Sequence, residues 1–510
     1  MTTVAAIAGL LAIVVTGVRW LRVMQREHYI ADSCFTTARR WILRRPLEKV
    51  ALIPALAGAV VALVAPHRTA AAIGALVAAV CASVFPFGMS LLGRDSRVKM
   101  TRRAITLASV VGFLAVAVVG IVSPFGRWYT GPAIAALLMP LLVDIGAWIT
   151  APIEARILGR YRDAAAKKLR TIGPKVIAVT GSWGKTSTKR HVADLLRDSV
   201  SVLASPASFN NTGGLSLTIN NHMSPGCEVF VAEMGMYGPG EIRALTEWIV
   251  PDVAIICAVG PMHLERAGSI EAIVAAKSEI LERASQAVLW VSNPLLDELA
   301  AQQTIRVWRV GWRGTPNLDV EVAVGDDNDT IEVSRSGQVI GTCSRANGVH
   351  PENAACAVAA VLAYGLDERA IAAALPTLAG PEHRATIAHT EAGVFVIDDT
   401  FNSNPEGAAR ALDSLVHAIP NGQRAVVTPG FVELGAAQFE ENEQFATAVI
   451  ASDVTLVVVG YTNRRALVQG AGGTATVVVR NRNAARDWVR AQLHSGDGVL
   501  WENDLPDYYP

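Results

Sequence analysis

Apolar segments crowd the first 150 residues of the chain, and they constrain its fold more than any other feature. They carry no internal charge except in the last segment, which contains Asp144. A helix needs about 20 apolar residues to cross a hydrocarbon layer about 30 Å thick, so the second segment is short for a full span. Residues 1–150 are therefore expected to form an α-helical transmembrane domain of about five helices, four of them long enough to span. The five segments are roughly 4–18, 50–65, 70–92, 104–122 and 132–150.

Basic residues indicate the orientation of this domain, because Lys and Arg are retained on the cytoplasmic side of a membrane. Segment 19–49 carries eight of them and segment 93–103 carries five, whereas the other two short connections carry only Arg68 and Arg127. With five spans, the N-terminus lies outside and everything after residue 150 lies in the cytoplasm, where ATP is available. The first segment is followed by arginines rather than by a cleavage site, so it is expected to be retained. The predicted location is the plasma membrane, with several spans.

The rest of the chain has the composition of soluble α/β domains. A length of 510 residues exceeds what one hydrophobic core usually organises, so two or three domains are expected. The 45 basic and 45 acidic residues cancel, and no nucleic-acid partner is predicted. The six cysteines lack CxxC spacing, which predicts neither a disulfide framework nor a zinc site.

Three segments follow the apolar region. Residues 151–172 are expected to be a basic helical linker, either on anionic headgroups or in solvent. Over 173–378, β-branched runs alternate with helical patterns, which is typical of a mostly parallel sheet; residues 304–342 within it predict an antiparallel flap. Residues 379–510 contain a second series of strands and helices and predict a Rossmann-like α/β C-terminal domain.

The strongest chemical signal is KVIAVTGSWGKTST at 175–188, in which a strand enters a glycine loop and a helix opens at about Lys185. Backbone N–H groups at such a helix start cradle phosphate. Lys185 can neutralise the β- and γ-phosphate oxygens, and the Thr186 hydroxyl can ligate Mg²⁺. The loop is shorter than the usual P-loop, because Val179 stands where its first glycine would be. The residues expected to bind the nucleotide here are Thr180, Gly181, Ser182, Trp183, Gly184, Lys185, Thr186 and Ser187.

Two further polar groups, Glu233 and His263, stand just past predicted strands. Ligands of open α/β sheets bind beyond the carboxyl ends of the strands. Both side chains are therefore expected to face the nucleotide and to hold a metal ion.

Lys277 lies on the apolar face of a helix predicted over 269–283, since apolar residues recur three, four or seven positions from it. Two interpretations remain open. The stem can snorkel and expose its ammonium group, or the amine can be buried, which is costly unless it is paired or chemically altered.

Several motifs occur in the order in which the Mur ligases of cell-wall synthesis carry them, and over about 173–510 the chain resembles that family. The resemblance is strongest to the members that add D-alanyl-D-alanine. The motifs are TGSWGKTST (180–188), SFNNTG (208–213), EMGM (233–236), PGEI (239–242), GPMH (260–263), KSE (277–279), GVHPEN (348–353), EHR (382–384), DDTFNSNP (398–405) and VELG (432–435).

The resemblance implies an ATP-dependent amide-bond ligase that forms an acyl phosphate, which an amine then attacks. It implies two Mg²⁺ ions held with the help of Glu233 and His263, and it implies that Lys277 is carbamylated. Lys185 and Arg384 would neutralise charge on the transferred phosphoryl group. The remaining implied contacts are those of Asn353 with adenine, Asp399 with ribose, Arg384 with the phosphates, and Asn210 and Asn211 with the acyl acceptor.

Three departures from the family pattern bear on the substrate. The membrane domain replaces the uridine-nucleotide-binding domain that normally precedes the P-loop. WENDLPD at 501–507 occupies the region of a Lys-Gly-Ser-type motif, and Asn442 falls where histidine is common. The acceptor is therefore expected to be a cell-envelope precursor, lipid-linked or close to membrane lipids, and the amine donor an amino acid or dipeptide.

Three alternatives remain open. One is a poly-γ-glutamate-type synthase. A second is a membrane transporter ATPase, against which the chain lacks an LSGGQ-like signature. The third is a regulatory protein with a ligase fold, against which the joint presence of Lys185, Thr186, Glu233, His263 and Lys277 argues.

Overall fold

The chain divides into two compact units. The first contains Met1–Ile157 with two later segments, Val459–Arg464 and Asp504–Pro510, and the second contains Leu158–Val458 and Arg465–Asn503. The computed structural model describes residues 1–45, 47–91, 98–122, 127–262, 264–380, 386–400, 404–473, 476–505 and 508–509.

The first unit is built from apolar helices that pack through small residues. Its described helices are α1 (Thr2–Arg26), α2 (Ser33–Arg44), α3 (Glu48–Val64), α4 (Arg68–Val84), α5 (Arg102–Val122), α6 (Gly131–Leu137) and α7 (Met139–Ile172), the last of which continues into the second unit. A Cβ on Gly58 of α3 or on Gly74 of α4 would lie 2.6 Å from the carbonyl oxygen of the other glycine. Glycine at both positions therefore allows the two backbones to touch, which is a common packing mode of apolar helices.

Two to four helices in the described residues are long and apolar enough to cross a membrane. They are α1 and α5, and two more if the bent pairs α2–α3 and α6–α7 each count as one span. The expected transmembrane domain of about five helices stays a prediction. The third apolar segment forms α4, whose 17 residues extend about 25 Å at a rise of 1.5 Å per residue. This helix ends before Pro86, because the residue preceding a proline disfavours helical geometry.

Asp144 of α7 has a structural role in this unit. Its carboxylate accepts hydrogen bonds from the backbone N–H groups of Cys34 (3.1 Å) and Phe35 (2.8 Å) at the start of α2. These N–H groups lack partners within their own helix and carry the positive end of its dipole. Asp144 therefore caps α2.

A late segment of the chain completes the same unit. The indole Nε1 of Trp41 donates a hydrogen bond to the carbonyl oxygen of Tyr508 at 2.6 Å, and Tyr508 is buried in one apolar cluster with Trp20 and Trp41. The guanidinium carbon of Arg40 lies 4.7 Å from the ring centre of Tyr509. Nothing in the sequence pattern predicts this contact.

The helix predicted over 151–172 is present as the second half of α7. Its last turns, with Ala165, Ala166 and Leu169, are buried in the core of the second unit. Two hydrogen bonds attach it further: Lys168 Nζ donates to the carbonyl oxygen of Asn220 (2.9 Å), and Asn220 Nδ2 donates to that of Tyr161 (3.0 Å). The last turns of this helix are therefore packed into the second unit, whereas residues 151–164 are exposed or half-buried.

The second unit contains two sheets. The strands of the first, in chain order, are β1 (Lys175–Thr180), β2 (Val202–Ala204), β3 (Val229–Glu233), β4 (Val253–Ile256), β5 (Gln286–Trp290), β6 (Arg306–Trp312), β7 (Val320–Val324), β8 (Thr330–Arg335) and β9 (Gln338–Ser344). Its helices are α8 (Lys185–Leu196), α9 (Thr212–His222), α10 (Glu241–Thr246), α11 (Leu264–Ala267), α12 (Ile270–Ser278), α13 (Pro294–Ala301), α14 (Pro351–Tyr364) and α15 (Glu368–Ala374).

The order of these nine strands is β2-β3-β1-β4-β5-β6-β7-β8-β9. Neighbours from β2 to β7 pair in parallel, and β8 runs antiparallel to both β7 and β9. The mostly parallel sheet is therefore confirmed. The antiparallel flap is confirmed for β7 to β9, but the expectation is wrong for β6, which pairs in parallel with β5 and β7.

The second sheet belongs to the C-terminal region. Its strands are β10 (Thr386–His389), β11 (Phe395–Asp399), β12 (Arg424–Thr428), β13 (Thr455–Val459), β14 (Thr476–Val479) and β15 (Gly498–Glu502), and its helices are α16 (Pro405–Ala418), α17 (Gln438–Ala451), α18 (Arg464–Gly470) and α19 (Arg482–Gln492). The strand order is β10-β11-β15-β12-β13-β14, with β10 antiparallel to β11 and β11, β15, β12 and β13 parallel. The expected α/β C-terminal region is present, with a mixed sheet.

Strand register in the larger sheet brings the predicted functional residues to one edge. β1 lies between β3 and β4, with Val179 opposite Glu233 and Thr180 opposite Ile256. The loops that follow these three strands therefore leave the sheet side by side, at the carboxyl ends where α/β proteins bind ligands.

Candidate active site

The phosphate loop joins β1 to α8. Gly184 has a φ of +77°, a left-handed conformation that glycine adopts at little cost, and α8 begins at the next residue. Lys185 Nζ donates to the carbonyl oxygens of Gly181 (2.8 Å) and Ser182 (3.3 Å). The ammonium group therefore lies over the loop, where its charge can meet phosphate oxygens.

Close contacts explain the glycines of this loop. A Cβ on Gly184 would lie 2.3 Å from Asn353 Oδ1, and a Cβ on Gly181 would lie 2.5 Å from Cys257 Sγ. The predicted adenine contact, Asn353, is buried behind the loop, where its Oδ1 accepts a hydrogen bond from Thr188 Oγ1 at 3.3 Å.

The phosphate loop is also fastened to the loop after β4. The Ser182 hydroxyl accepts from the backbone N–H of Gly260 and donates to its carbonyl oxygen, both at 3.1 Å. A Cβ on Gly260 would lie 2.2 Å from the Trp183 ring. Trp183 therefore packs against the start of the segment that leads to His263, which itself lies outside the described residues.

Glu233 is the centre of a buried polar cluster at the end of β3. Its Oε2 accepts from Thr186 Oγ1 and from Lys189 Nζ, both at 3.0 Å, and its Oε1 accepts from Asn210 Nδ2 at 3.2 Å. Burial by itself raises the pKa of this carboxyl. The charges of Lys189 and Lys185, with the hydrogen bonds from Lys189 and Thr186, outweigh burial and hold the pKa below its usual value. Glu233 is therefore ionised at neutral pH.

The same cluster holds the loop that precedes α9. Lys189 Nζ also donates to the carbonyl oxygen of Ala207, and the Ser205 hydroxyl accepts from the backbone N–H of Glu233 at 3.2 Å. Of the two predicted substrate residues, Asn210 joins the cluster. Asn211 instead caps α9 by accepting from the N–H of Gly214 at 2.9 Å.

Lys277 is buried near the end of α12, with 5% of its surface exposed. No residue in the described part of the chain forms a hydrogen bond or an ion pair with its Nζ. Burial, and then the charge of Lys185, place the pKa of the amine well below its usual value. The snorkelling interpretation therefore does not hold in this structure. The predicted helix is also shorter, since α12 ends at Ser278 and a 3-10 turn follows.

The neighbouring Glu279 explains why KSE and PGEI occur together. Its carboxylate accepts from the backbone N–H groups of Gly240 (2.7 Å) and Arg243 (3.0 Å), so it caps α10. This acid stabilises the fold next to Lys277.

Two residues of the C-terminal region are expected to contact the nucleotide. Asp399, one of them, is the last residue of β11, and its carbonyl oxygen accepts a hydrogen bond from the N–H of Asn503 at 3.1 Å. Arg384 lies outside the described residues. Ser187 and Thr180 are buried at the start of α8 and the end of β1.

Two of the three departures from the family pattern, Asn442 and the segment 501–507, contain asparagines that stabilise a loop. The buried Asn442 amide accepts from the N–H of Phe431 (2.8 Å) and donates to the carbonyl oxygens of Phe431 (3.1 Å) and Gln438 (2.7 Å). Asn503 has a φ of +64°, and its Nδ2 donates to Gly430 at 2.7 Å. Both asparagines hold the loop that carries the VELG motif.

Lys189 is the main site residue that the sequence reasoning missed. It lies four residues after Lys185, one turn further along α8, and this spacing places both lysines on one helix face. The four-residue spacing could therefore have identified Lys189 from the sequence. Ser205 and Cys257 were missed as well, and they lack a comparable signal, because their contacts depend on loops from other strands.

The phosphate loop lies on a mostly parallel sheet, and the motifs continue in order into a second α/β sheet. This arrangement defines a class of ATP-dependent ligases. Residues 179–362 match the Mur ligase middle domain. The UDP-N-acetylmuramoyl-tripeptide–D-alanyl-D-alanine ligase of Mycobacterium leprae is 31% identical over 386 residues, which cover 67% of this chain and 73% of that protein. This chain therefore belongs to the Mur ligase family.

Solved structures agree with that assignment. The structure of MurF from Acinetobacter baumannii superposes with a TM-score of 0.58 at 23% identity, covering 68% of this chain and 77% of that one. The MurF ligase from Thermotoga maritima, solved in complex with ADP, gives a TM-score of 0.58 at 25% identity, covering 68% and 80%. The protein is an ATP-dependent acid–amino-acid ligase of the Mur type, related to MurF.

We predict that Lys189→Met makes Mg²⁺-dependent ATP turnover sensitive to acid. The variant loses the main charge that opposes burial, so the pKa of Glu233 rises and the carboxyl takes up a proton as the pH falls. The Mg²⁺ concentration for half-maximal ADP release should then increase about tenfold or more from mildly alkaline to mildly acidic pH, and much less in the wild type. Lys167→Met, at an exposed lysine of α7, is the matched control. An equal Mg²⁺ requirement at both pH values in Lys189→Met would show that Lys189 does not set the charge of Glu233.

Proposed function

We propose that this ligase joins the amine of an amino acid or dipeptide to a carboxylate of a cell-envelope precursor at the cytoplasmic face of a membrane. The observation that carries the proposal is the position of Glu233, which contacts the phosphate loop through Thr186 and the segment before α9 through Asn210. A carboxylate bound near Asn210 would meet a γ-phosphate bound at the phosphate loop between these two segments. The M. leprae relative, by its name, acts on a muramoyl tripeptide and D-alanyl-D-alanine, which supports a substrate pair of this kind.

The reaction has two steps. A carboxylate oxygen of the acceptor forms a bond to the γ-phosphorus of ATP while the bond from that phosphorus to the β–γ bridging oxygen breaks and ADP leaves. The amine nitrogen then attacks the acyl carbon, the bond from this carbon to the phosphate oxygen breaks, and phosphate leaves as the nitrogen loses a proton. Lys185 would neutralise charge on the phosphoryl group throughout, so positioning and electrostatics account for most of the catalysis.

The oxygen atoms beside the phosphate loop suit Mg²⁺. Thr186 Oγ1 and Glu233 Oε2 lie 3.0 Å apart, and one or two protein oxygens combined with substrate phosphates form the usual ligand set of this ion. Among the described residues no group of three or more His, Cys, Asp or Glu side chains is placed to hold a metal ion. Thr186 and Glu233, with His263, would hold the ion. When bound, Mg²⁺ neutralises negative charge that develops on the phosphates.

The remaining roles follow the family pattern. Asn353 would contact adenine, Asp399 the ribose and Arg384 the phosphates, while Asn210 and Asn211 would lie near the acyl acceptor. The buried position of Asn353 against Gly184 supports a place beside the nucleotide. For Asn211 the capping bond to Gly214 supports an indirect role, in which it shapes the loop.

Substrate turnover tests this function. We expect the full-length protein in detergent to release ADP when a muramoyl tripeptide, either UDP-linked or polyprenyl-linked, is supplied with D-alanyl-D-alanine or an amino acid. Lys185→Ala should release none, because the charge on the phosphate loop is lost, and Lys167→Ala should behave as wild type. ADP release with poly-γ-glutamate and glutamate alone would select the polymer synthase instead. ADP release without any acceptor would indicate an ATPase.

We propose that residues after 150 lie in the cytoplasm and that the N-terminus lies outside, in a plasma membrane. The excess of Lys and Arg in 19–49 and 93–103 supports this orientation. A phosphatase or fluorescent reporter fused after Pro510 should behave as cytoplasmic, and one fused before Val4 as extracytoplasmic. A reporter at Pro510 that is active outside the cell would reverse the assignment.

We also propose that Lys277 carries a carbamate. Its burial lowers the pKa of its amine and so favours the neutral form, and a neutral amine is the form that attacks CO₂. A nitrogen–carbon bond forms, one carbon–oxygen π pair moves onto oxygen, and the nitrogen loses a proton. The product is an anion, which the nearby Lys185 can pair with.

Lys277→Ala should therefore be nearly inactive, and a small carboxylate such as acetate should partly restore its ADP release. Wild-type activity should fall when bicarbonate is removed, more so at mildly acidic pH, where less of the amine is neutral. Thermal unfolding of the variant provides the control for folding. Activity near that of the wild type without acetate would exclude the carbamate.

A further inference from the structure

One ion pair connects the two sheets of the second unit close to the nucleotide residues. Arg410 of α16 contacts the carboxylate of Glu352 through its Nη1, and the same atom lies 3.3 Å from Glu406 Oε1. Glu352 belongs to the first turn of α14 and has 8% of its surface exposed. In the described part of the chain, Arg410 is the cation that pairs with it.

Each end of this pair lies near a residue for which a nucleotide contact is proposed above. Next to Glu352 in the chain is Asn353, which packs against Gly184 and accepts a hydrogen bond from Thr188. A shift of the start of α14 would therefore displace Asn353 relative to the phosphate loop.

On the other side, Arg410 lies a little more than one turn into α16. The Asn404 side chain caps this helix by accepting from the N–H of Gly407 at 2.9 Å, and the helix follows the motif that begins with Asp398 and Asp399 at the end of β11. A shift of α16 would therefore displace Asp399.

We propose that Arg410 is a positioning residue that sets the distance between the phosphate loop and the ribose-facing end of β11. It acts through Glu352. The inference rests on the proposed nucleotide roles of Asn353 and Asp399, and it is independent of which amine and carboxylate the ligase joins.

Electrostatics explain why an arginine is suited to this position. Glu352 and Glu406 are both first-turn acids, each favoured by the dipole of its own helix. Two carboxylates brought to one guanidinium repel each other once that cation is removed. Loss of Arg410 would leave Glu352 buried without its partner, which is more costly than loss of both members of the pair.

Another contact between the two regions should persist without the pair. The backbone N–H of Glu265 donates to the carbonyl oxygen of Glu433 at 3.1 Å. This bond does not involve Arg410, so variants at this residue should change position more than they change folding.

The test compares two nucleotide probes on the full-length protein with Mg²⁺. Tripolyphosphate needs only the phosphate loop, whereas the ATP analogue AMP-PNP also needs the adenine and ribose contacts. We expect R410Q and E352Q each to weaken AMP-PNP binding about tenfold, which corresponds to about 1.4 kcal/mol, while tripolyphosphate affinity stays unchanged. The double variant E352Q/R410Q should bind AMP-PNP no worse than the single variant that binds it more weakly, because the effects of two substitutions within one ion pair are not additive.

The matched control is the exposed ion pair of Arg335 with Glu368 (2.7 Å), for which R335Q, E368Q and their double variant should leave both affinities unchanged. Independent losses that multiply in E352Q/R410Q, or equal weakening of both probes by R410Q, would overturn the proposal. If the glutamine variants do not fold, R410K must still weaken AMP-PNP selectively, and wild-type affinity in R410K would overturn it. Equal affinities of the wild type for the two probes would instead refute the nucleotide roles of Asn353 and Asp399.

Discussion

The candidate active site depends on one buried carboxylate being kept charged. Glu233 has 1% of its surface exposed, and an ionised group in such a place is stable only with opposite charge and hydrogen bonds around it. Lys189 and Lys185 supply the charge, and Thr186 and Asn210 supply hydrogen bonds. These partners come from the phosphate loop, from α8 and from the segment before α9. The electrostatic requirement of a single side chain therefore brings three parts of the chain to the same point.

The features that could be predicted from the sequence are those that depend on short-range sequence patterns. The strand, loop and helix around Lys185 follow from β-branched residues, glycines and a helix start in immediate succession. Glu233 could be placed because parallel strands end at one edge of a sheet. Burial of Lys277 follows from helical periodicity, although the periodicity left open whether its amine was exposed. In each case the evidence comes from the strand, loop or helix that contains the residue, or from the one next to it in the sequence.

What could not be predicted depends on contacts between distant segments. The pair of Arg410 with Glu352 joins residues 58 positions apart, and neither residue type is unusual on a helix surface. Periodicity of α7 reveals an exposed basic helix but not that its last turns enter the core of the second unit. The parallel pairing of β6 is also hidden, since strand direction depends on the neighbour and not on the strand itself. The length of α4 was missed because hydropathy continues past the proline that ends the helix.

The helical unit described above is completed by residues far along the chain. Trp41 and Tyr508 are 467 positions apart, and the ring of Tyr508 is buried among side chains of the first helices. During synthesis these helices emerge long before the segment that covers Trp41, so the apolar cluster stays open until nearly all of the ligase region has been made. Closure of such a contact is a late step, because a long loop must be ordered before the contact can form. The helices are therefore synthesised first, but their final packing is completed only after the ligase region has been translated.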